Sequence, residues 1–298
     1  MSSKRTRIIA GAAVLGFMAA TAPAALADGD APRGGQSSDG RHDGENLAAI
    51  GLTPDGKRLV SFDTDRPERA RDLGVVQGLV GDGRLVGIDH RPANGLLYGV
   101  GDKGGVYTIA GATATKVSQL SVALSGTAFD IDFNPVVDRL RIVSDAGQNL
   151  RHDVGAQGGT STDGVLSYPA APPATTPTTA TGVTGAAYTN NDADPATATT
   201  LFDVDTVLDQ VVIQSPANAG LLAATGKLGV DATGDAGFDI YSEVRRGSAV
   251  ELFPYLVLQV GGRYGLYEVS LLTGRVTPEG TFPRDRQVSD IALVPGQL

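Results

Sequence analysis

The sequence predicts an all-β fold, a β-propeller of five blades closed by pairing of its N- and C-terminal strands. Three observations carry this reading. A strand with an aromatic, a turn and a second strand recurs at intervals of 44 to 65 residues, anchored by Phe62, Tyr107, Arg151, Phe202 and Tyr267. A second strand type lies between these copies. The two ends of the chain each lack the half that the other supplies. From about residue 45 no apolar pattern keeps a helical period for three turns. The 40 glycines fall between short apolar runs, as strands joined by tight turns require.

The chain opens with Lys4, Arg5 and Arg7, an apolar run from Ile8 to Ala20, and Ala25-Leu26-Ala27. These are the basic, apolar and cleavage regions of a secretory signal peptide over residues 1–27. The apolar run is short for a membrane span, so cleavage before Asp28 is expected, with no span after it and a secreted product. There is no Arg-Arg pair, which favours the general export route over the twin-arginine one. Residues 28–44 are polar, Gly-rich and without periodicity, and read as a disordered linker. His42 lies there, without fixed partners. The remaining 45–298 read as one propeller-like domain.

The aromatic copies are LVSFDTDRPERARDLGVV (59–76), GVYTIAGATATKVSQL (105–120), TLFDVDTVLDQVVIQ (200–214) and GLYEVSLLTGRVTPEG (265–280). In a weaker copy, NLRHDVGAQGGTSTDGVL (149–166), Arg151 replaces the aromatic. The second strand type appears as LVGIDHRP (85–92), AFDIDFNP (128–135), VTGAAYTN (183–190), AGFDIYSE (236–243) and VSDIALVP (288–295). LLYGVGD (96–102) and RLRIVSD (139–145) complete hairpins in two repeats, whereas the third repeat shows no separate second strand. Repeats of this length with three or four strands each are those of a propeller. The strand at 288–295 has no partner strands after it, and those near 47–76 have no first-type strand before them. Joining them completes a blade and removes exposed edges. A sixth blade is the alternative, because 244–263 has room for extra strands. The Pro/Thr/Ala-rich 169–181 reads as an inter-blade loop, since Pro lacks the ladder donor.

Cysteine is absent. An exported chain of this length must then hold together by burial alone, and thiol chemistry is excluded. Net charge is −9 over the whole chain, and more negative still without the basic start. An acidic balance argues against nucleic acid or anionic membrane as partner. A monomer that meets an extracellular ligand or protein is expected. Tryptophan is absent, which counts mildly against a sugar-stacking site.

The segment Asp130–Arg151, DIDFNPVVDRLRIVSDAGQNLR, resembles the hallmark of the bacterial family called domain of unknown function 4394. LVGIDHRPANGLLYGVG (85–101), AAYTNN (186–191), TTLFDVD (199–205) and GFDI (237–240) resemble it too. The resemblance spans about 45–295. It implies a secreted propeller-like domain and brings no activity or site residues with it.

Several residue groups are candidates for chemistry. Asp89, Asp132, Asp239 and Asp290 take the same place in four first-type strands, with Ala187 in the third. If those strands line the channel, four carboxylates approach one axis. Like charges there would raise each other's pKa or recruit a hard cation such as Ca²⁺. The competing reading, which is favoured, has each Asp bonding backbone of its own or the next blade. Arg139, Arg141 and Arg151, with His152 beside them, could fork an anionic ligand. Pairing with Asp138, Asp145 or Asp153 competes with that and is favoured. Asn190, Asn191, Asp192 and Asp194 are oxygen-rich but lack EF-hand spacing, so a solvated turn competes with a loose Ca²⁺ site and is favoured. Gly99–Gly104 matches G-x-G-x-x-G, yet a strand follows where a helix is needed; it reads as a hairpin turn.

No G-x-S-x-G elbow and no zinc-ligand spacing occurs. His90 follows Asp89 directly, so on a strand the two face opposite ways. No catalytic constellation is recognisable. The expectation is a non-enzymatic extracellular binding or scaffold propeller with no predicted cofactor beyond Ca²⁺. One alternative is a glycan hydrolase or lyase using axial carboxylates. Another is a Ca²⁺-stabilised structural propeller.

Overall fold

The computed structural model describes residues 46–298 apart from 156, 191, 195 and 247. The signal peptide, the linker, His42 and Asn191 lie outside the described residues. Those residues form a β-propeller of five four-stranded antiparallel sheets.

The first blade is composite. Asp290–Leu293 pairs with Ala48–Leu52, in the register Ala49 to Leu293 and Leu52 to Asp290, and Arg58–Asp63 and Arg71–Val75 follow outward. This is the closure read from the sequence. The second blade is Leu85–His90, Leu97–Gly101, Gly105–Ala110 and Thr113–Gln119. Phe129–Asn134, Arg139–Ser144, Asn149–His152 and Thr160–Thr162 make the third. Val183–Tyr188, Leu201–Asp205, Gln210–Gln214 and Leu222–Lys227 make the fourth. The fifth is Ala232–Arg245, Ser248–Val260, Arg263–Val269 and Val276–Thr281.

Alternation along the strands explains why the blades stack. Successive side chains face opposite ways, so each blade offers one apolar face to the blade before and one to the blade after. Among the described residues five apolar clusters result, one at each junction between blades. Phe202 and Val204 meet Phe238 and Ile240 of the fifth blade. Leu201, from the same strand, packs with Val143 of the third. Tyr98 meets Phe133 edge-on with centroids 5.1 Å apart, and Phe62 meets Phe282 at 5.0 Å. Each fully buried large apolar side chain contributes about 1.5–3 kcal/mol, so a closed ring of such junctions can stand without disulfides.

The structure corrects three local readings. Phe202 lies on the second strand of its blade, not the third; the third is Gln210–Gln214, which has no aromatic. The second strand that seemed missing from that repeat is therefore Leu201–Asp205 itself. The long fourth repeat holds no sixth blade, because Ala232–Arg245 and Ser248–Val260 are one extended hairpin. The Pro/Thr-rich stretch carries a small two-stranded ribbon, Ser167–Tyr168 with Thr178–Thr179. Tyr168 anchors it by donating to Asp205 at 2.6 Å. The glycine motif at 99–104 is a hairpin turn, with Gly104 at φ 81°, where a side chain would strain the backbone.

Candidate functional site

The five innermost strands line the channel, and positions i and i+2 of each face it. Laid side by side these pairs are Gly87 and Asp89, Asp130 and Asp132, Gly185 and Ala187, Gly237 and Asp239, and Asp290 and Ala292. They form two levels. Asp89, Asp132 and Asp239 share one, with an oxygen of each within 4.8 Å of the others. Asp130 and Asp290 share the level below. Asp290 is thus two residues out of step with the three it was aligned with, and Asp130 is a channel carboxyl that the alignment missed. The glycines make room: a Cβ on Gly237 would lie 2.4 Å from the Asp290 Cα.

Each channel carboxyl ties one blade to the next. The innermost strand has an inner edge whose N–H groups lack a ladder partner, and a buried N–H without one is costly. Asp89 accepts from Phe133 N at 2.8 Å, Asp239 from Leu293 N at 2.6 Å and Asp290 from Ile88 N at 2.8 Å. Asp130 accepts from Ala186 N at 2.8 Å and from Phe238 N at 3.2 Å. Asp132 accepts the backbone N–H of Tyr188. Asp130, Asp239 and Asp290 also take the N–H of the following residue, at 2.6 to 2.9 Å.

Burial first, and then the neighbouring carboxylates, push Asp89, Asp130 and Asp132 well above the usual carboxylate range. Burial raises Asp239 and Asp290 to about 7. The channel therefore takes up protons near neutrality. The recess above Asp89, Asp132 and Asp239 holds about 10 Å³, room for no more than a water. A hard cation would find three carboxylate oxygens here, but no sugar ring would fit.

The arginines are spoken for by the protein. Arg141 is 1% exposed and donates to Asp163 at 2.6 Å, Asn149 at 2.7 Å, Asn218 at 2.8 Å and Tyr188 at 3.2 Å. Arg151 forks the same Asp163 at 2.6 and 2.9 Å. Arg139 pairs with Asp153 at 3.2 Å. Asp163, the hub, was not singled out in the sequence. His152 is buried between Ser118 at 2.6 Å and Thr160 at 3.0 Å. In the oxygen-rich loop, Asn190, Asp192 and Asp194 each accept the N–H two residues on, at 2.9 to 3.0 Å, a run of Asx turns.

At the other end of the channel, where the innermost strands begin, lies a cavity of about 600 Å³. Every blade contributes to it: Pro54 and Asp55, Arg84, Thr127 and Asp145, Thr184 and Thr206, then Thr233, Asp235 and Tyr264. Most of its polar atoms are engaged. Asp55 accepts from Thr53 and Lys57, and Asp145 from the N–H and hydroxyl of Thr127. Thr184 and Thr206 pair at 3.2 Å. Asp235 differs: its Oδ1 has no hydrogen-bond partner among the described residues. Burial, then repulsion from Asp290, raises its carboxyl well above the ordinary range. Arg84 beside it has no hydrogen bond or ion pair from its side chain among the described residues, and acts on Asp235 only through its field. Tyr264 is pushed up to about 12 by burial and by Asp235.

Sequence reasoning did not find this cavity. Arg84 and Thr127 stand just before innermost strands, Thr184, Thr233 and Asp235 within the first residues of others, and Pro54, Asp55, Asp145 and Thr206 just after second strands; they share no motif.

Among the described residues no helix is long and apolar enough to cross a membrane. No curated protein matches the chain. Among solved structures it is similar to an auxiliary nutrient binding protein from Bacteroides thetaiotaomicron. That match has 13% identity and a TM-score of 0.43, and covers 82% of this chain and 63% of that one. A protein of unknown function from the same organism matches at 15% identity and TM-score 0.43, covering 83% and 64%. The chain spans less than two thirds of either. A Lactobacillus plantarum protein matches at 16% identity and TM-score 0.38, covering 81% and 69%. The sheets themselves, not these likenesses, establish the propeller. Residues 58–292 match the family described as Domain of unknown function (DUF4394), and the chain belongs to that family.

Proposed function

We propose that this is an exported, non-enzymatic binding propeller that takes a small polar ligand in the axial cavity. One observation carries the reading: a cavity of about 600 Å³ drawn from all five blades holds an Arg84 side chain and an Asp235 Oδ1 that have no hydrogen-bond partner among the described residues. That volume is typical of ligand pockets. The N-terminal basic, apolar and Ala-Leu-Ala pattern supports export, and the acidic composition supports a partner other than nucleic acid.

The glycan hydrolase alternative loses its support. Glycoside cleavage needs two carboxyls open to one pocket, whereas the channel carboxyls are buried and bonded to backbone. The test is to incubate the mature chain with small molecules of each class and follow both melting temperature and ligand consumption. A saturable rise in melting temperature with no consumption is expected. Turnover that is lost in Asp132→Asn or Asp239→Asn would overturn the proposal.

A second reading, stabilisation by Ca²⁺, is favoured by the convergence of Asp89, Asp132 and Asp239 within 4.8 Å. Ca²⁺ would then raise the melting temperature and chelator lower it. An unchanged curve removes this reading.

A further inference from the structure

The axial cavity holds opposite charges that do not use each other. Arg84 and Asp235 both line it, and both also line the smaller recess beneath, where Asp290 lies. Elsewhere in the molecule such neighbours close into pairs: Arg141 and Arg151 on Asp163, Arg91 on Asp138, Arg139 on Asp153. Here the carboxyl receives only the N–H of the following Ala236, and the guanidinium donates to no group among the described residues. A carboxyl oxygen buried without a partner is costly. Its persistence in an open, ligand-sized cavity is what a site awaiting a ligand requires.

Resting on the binding role above, we infer that the ligand is a small zwitterion of the amino-acid class, its ammonium at Asp235 and its carboxylate at Arg84. A guanidinium forks a carboxylate with two parallel N–H···O bonds. An ammonium brought beside Asp235 favours the ionised form of its carboxyl, which is then the matching acceptor for three donors. A divalent cation fits less well. The carboxylates of Asp55 and Asp145 already accept from Thr53, Lys57 and Thr127, so only one free carboxyl remains, with a guanidinium beside it. The Tyr264 hydroxyl and the threonines leave room for a polar side chain on the ligand.

Calorimetric titration of the mature protein tests this with six kinds of probe: the twenty L-amino acids, dialanine, matched primary amines, matched carboxylates, and glucose and calcium chloride as controls. At least one amino acid or dialanine should bind, and its amine-only and carboxylate-only analogues should bind at least tenfold more weakly. Asp235→Asn and Arg84→Gln should each weaken binding at least tenfold. Neither residue has a side-chain hydrogen bond to lose among the described residues, so neither variant should lower the melting temperature. The carboxylate-only analogue should be indifferent to Asp235→Asn, a pattern that a merely structural effect would not give. Glucose or Ca²⁺ binding in place of the zwitterions overturns the inference while leaving the binding role intact. So does zwitterion binding that both variants leave unchanged. No binding by any probe overturns the inference as well.

Discussion

Replacing Asp163 with alanine removes the carboxylate that anchors two arginines of the third blade and tests whether Arg141 and Arg151 are structural. Asp163 takes three short hydrogen bonds, from Arg141 at 2.6 Å and from Arg151 at 2.6 and 2.9 Å. The Arg141 and Asp163 side chains are only 2% and 6% exposed. Burial alone would raise the Asp163 carboxyl, yet the two guanidiniums together hold it below its ordinary value. Deleting one partner of a buried ion pair leaves an uncompensated charge and costs about 3–5 kcal/mol. Asn149, Asn218 and Tyr188 still accept from Arg141, which places the loss toward the lower end. Arg151 is one-third exposed, so it rehydrates and adds only about 1 kcal/mol at most. A loss of about 4 kcal/mol corresponds to roughly 8–16 °C in melting temperature at this chain length. Urea unfolding followed by circular dichroism should show a lower midpoint with the slope unchanged. Arg151→Ala should cost about a quarter as much. A loss below about 1 kcal/mol for Asp163→Ala would refute the reasoning, because the Arg141 charge would then not depend on its carboxylate.

Two further outcomes follow from the buried carboxyls. Asp239 and Asp290 are raised to about 7, and Asp89, Asp130 and Asp132 are raised in the same direction. A carboxyl whose folded pKa is raised contributes stability that is fully present below its unfolded value and lost as pH rises through the folded one. Melting temperature should therefore fall between pH 5 and pH 8, by the equivalent of a few kcal/mol. Asp163 and Asp55 have lowered values and act oppositely, only as pH drops below about 4. A flat profile between pH 5 and 8, read by scanning calorimetry, contradicts the buried-channel description. Asp203 is fully buried with neither oxygen bonded among the described residues. Asp203→Leu should therefore stabilise, by about 1–3 kcal/mol; a destabilised variant in urea titration would show that the carboxyl has an internal partner.

How far the sequence reached depended on whether neighbours in space were neighbours in the chain. The innermost strands, the terminal closure and the hairpins were legible because apolar alternation and turn residues are local. Phe202 misled, because LFDVD and QVVIQ with their tight turn imitate the aromatic hairpin of the other repeats one strand too early. Asp290 misled by its position in a short strand. The paired pattern Gly-x-Asp, Asp-x-Asp, Gly-x-Ala, Gly-x-Asp, Asp-x-Ala was present in the sequence and, aligned on both members, separates the two channel levels. Asp163 directly follows the short, poorly patterned edge strand Thr160–Thr162, so its role as partner of two arginines had no local signal. The cavity had none either. Arg84 and Asp235 are 151 positions apart, and each looks like an ordinary charged residue before a strand; only ring closure brings them together.

The most direct measurement is the dissociation constant of the tightest ligand for the wild-type chain and for Thr233→Trp. Thr233 is exposed at the cavity wall, so the indole fills the space without disturbing the core. The axial-site account predicts binding at least a hundredfold weaker in the variant, with the unliganded melting temperature unchanged. An equal dissociation constant in the two proteins would contradict it.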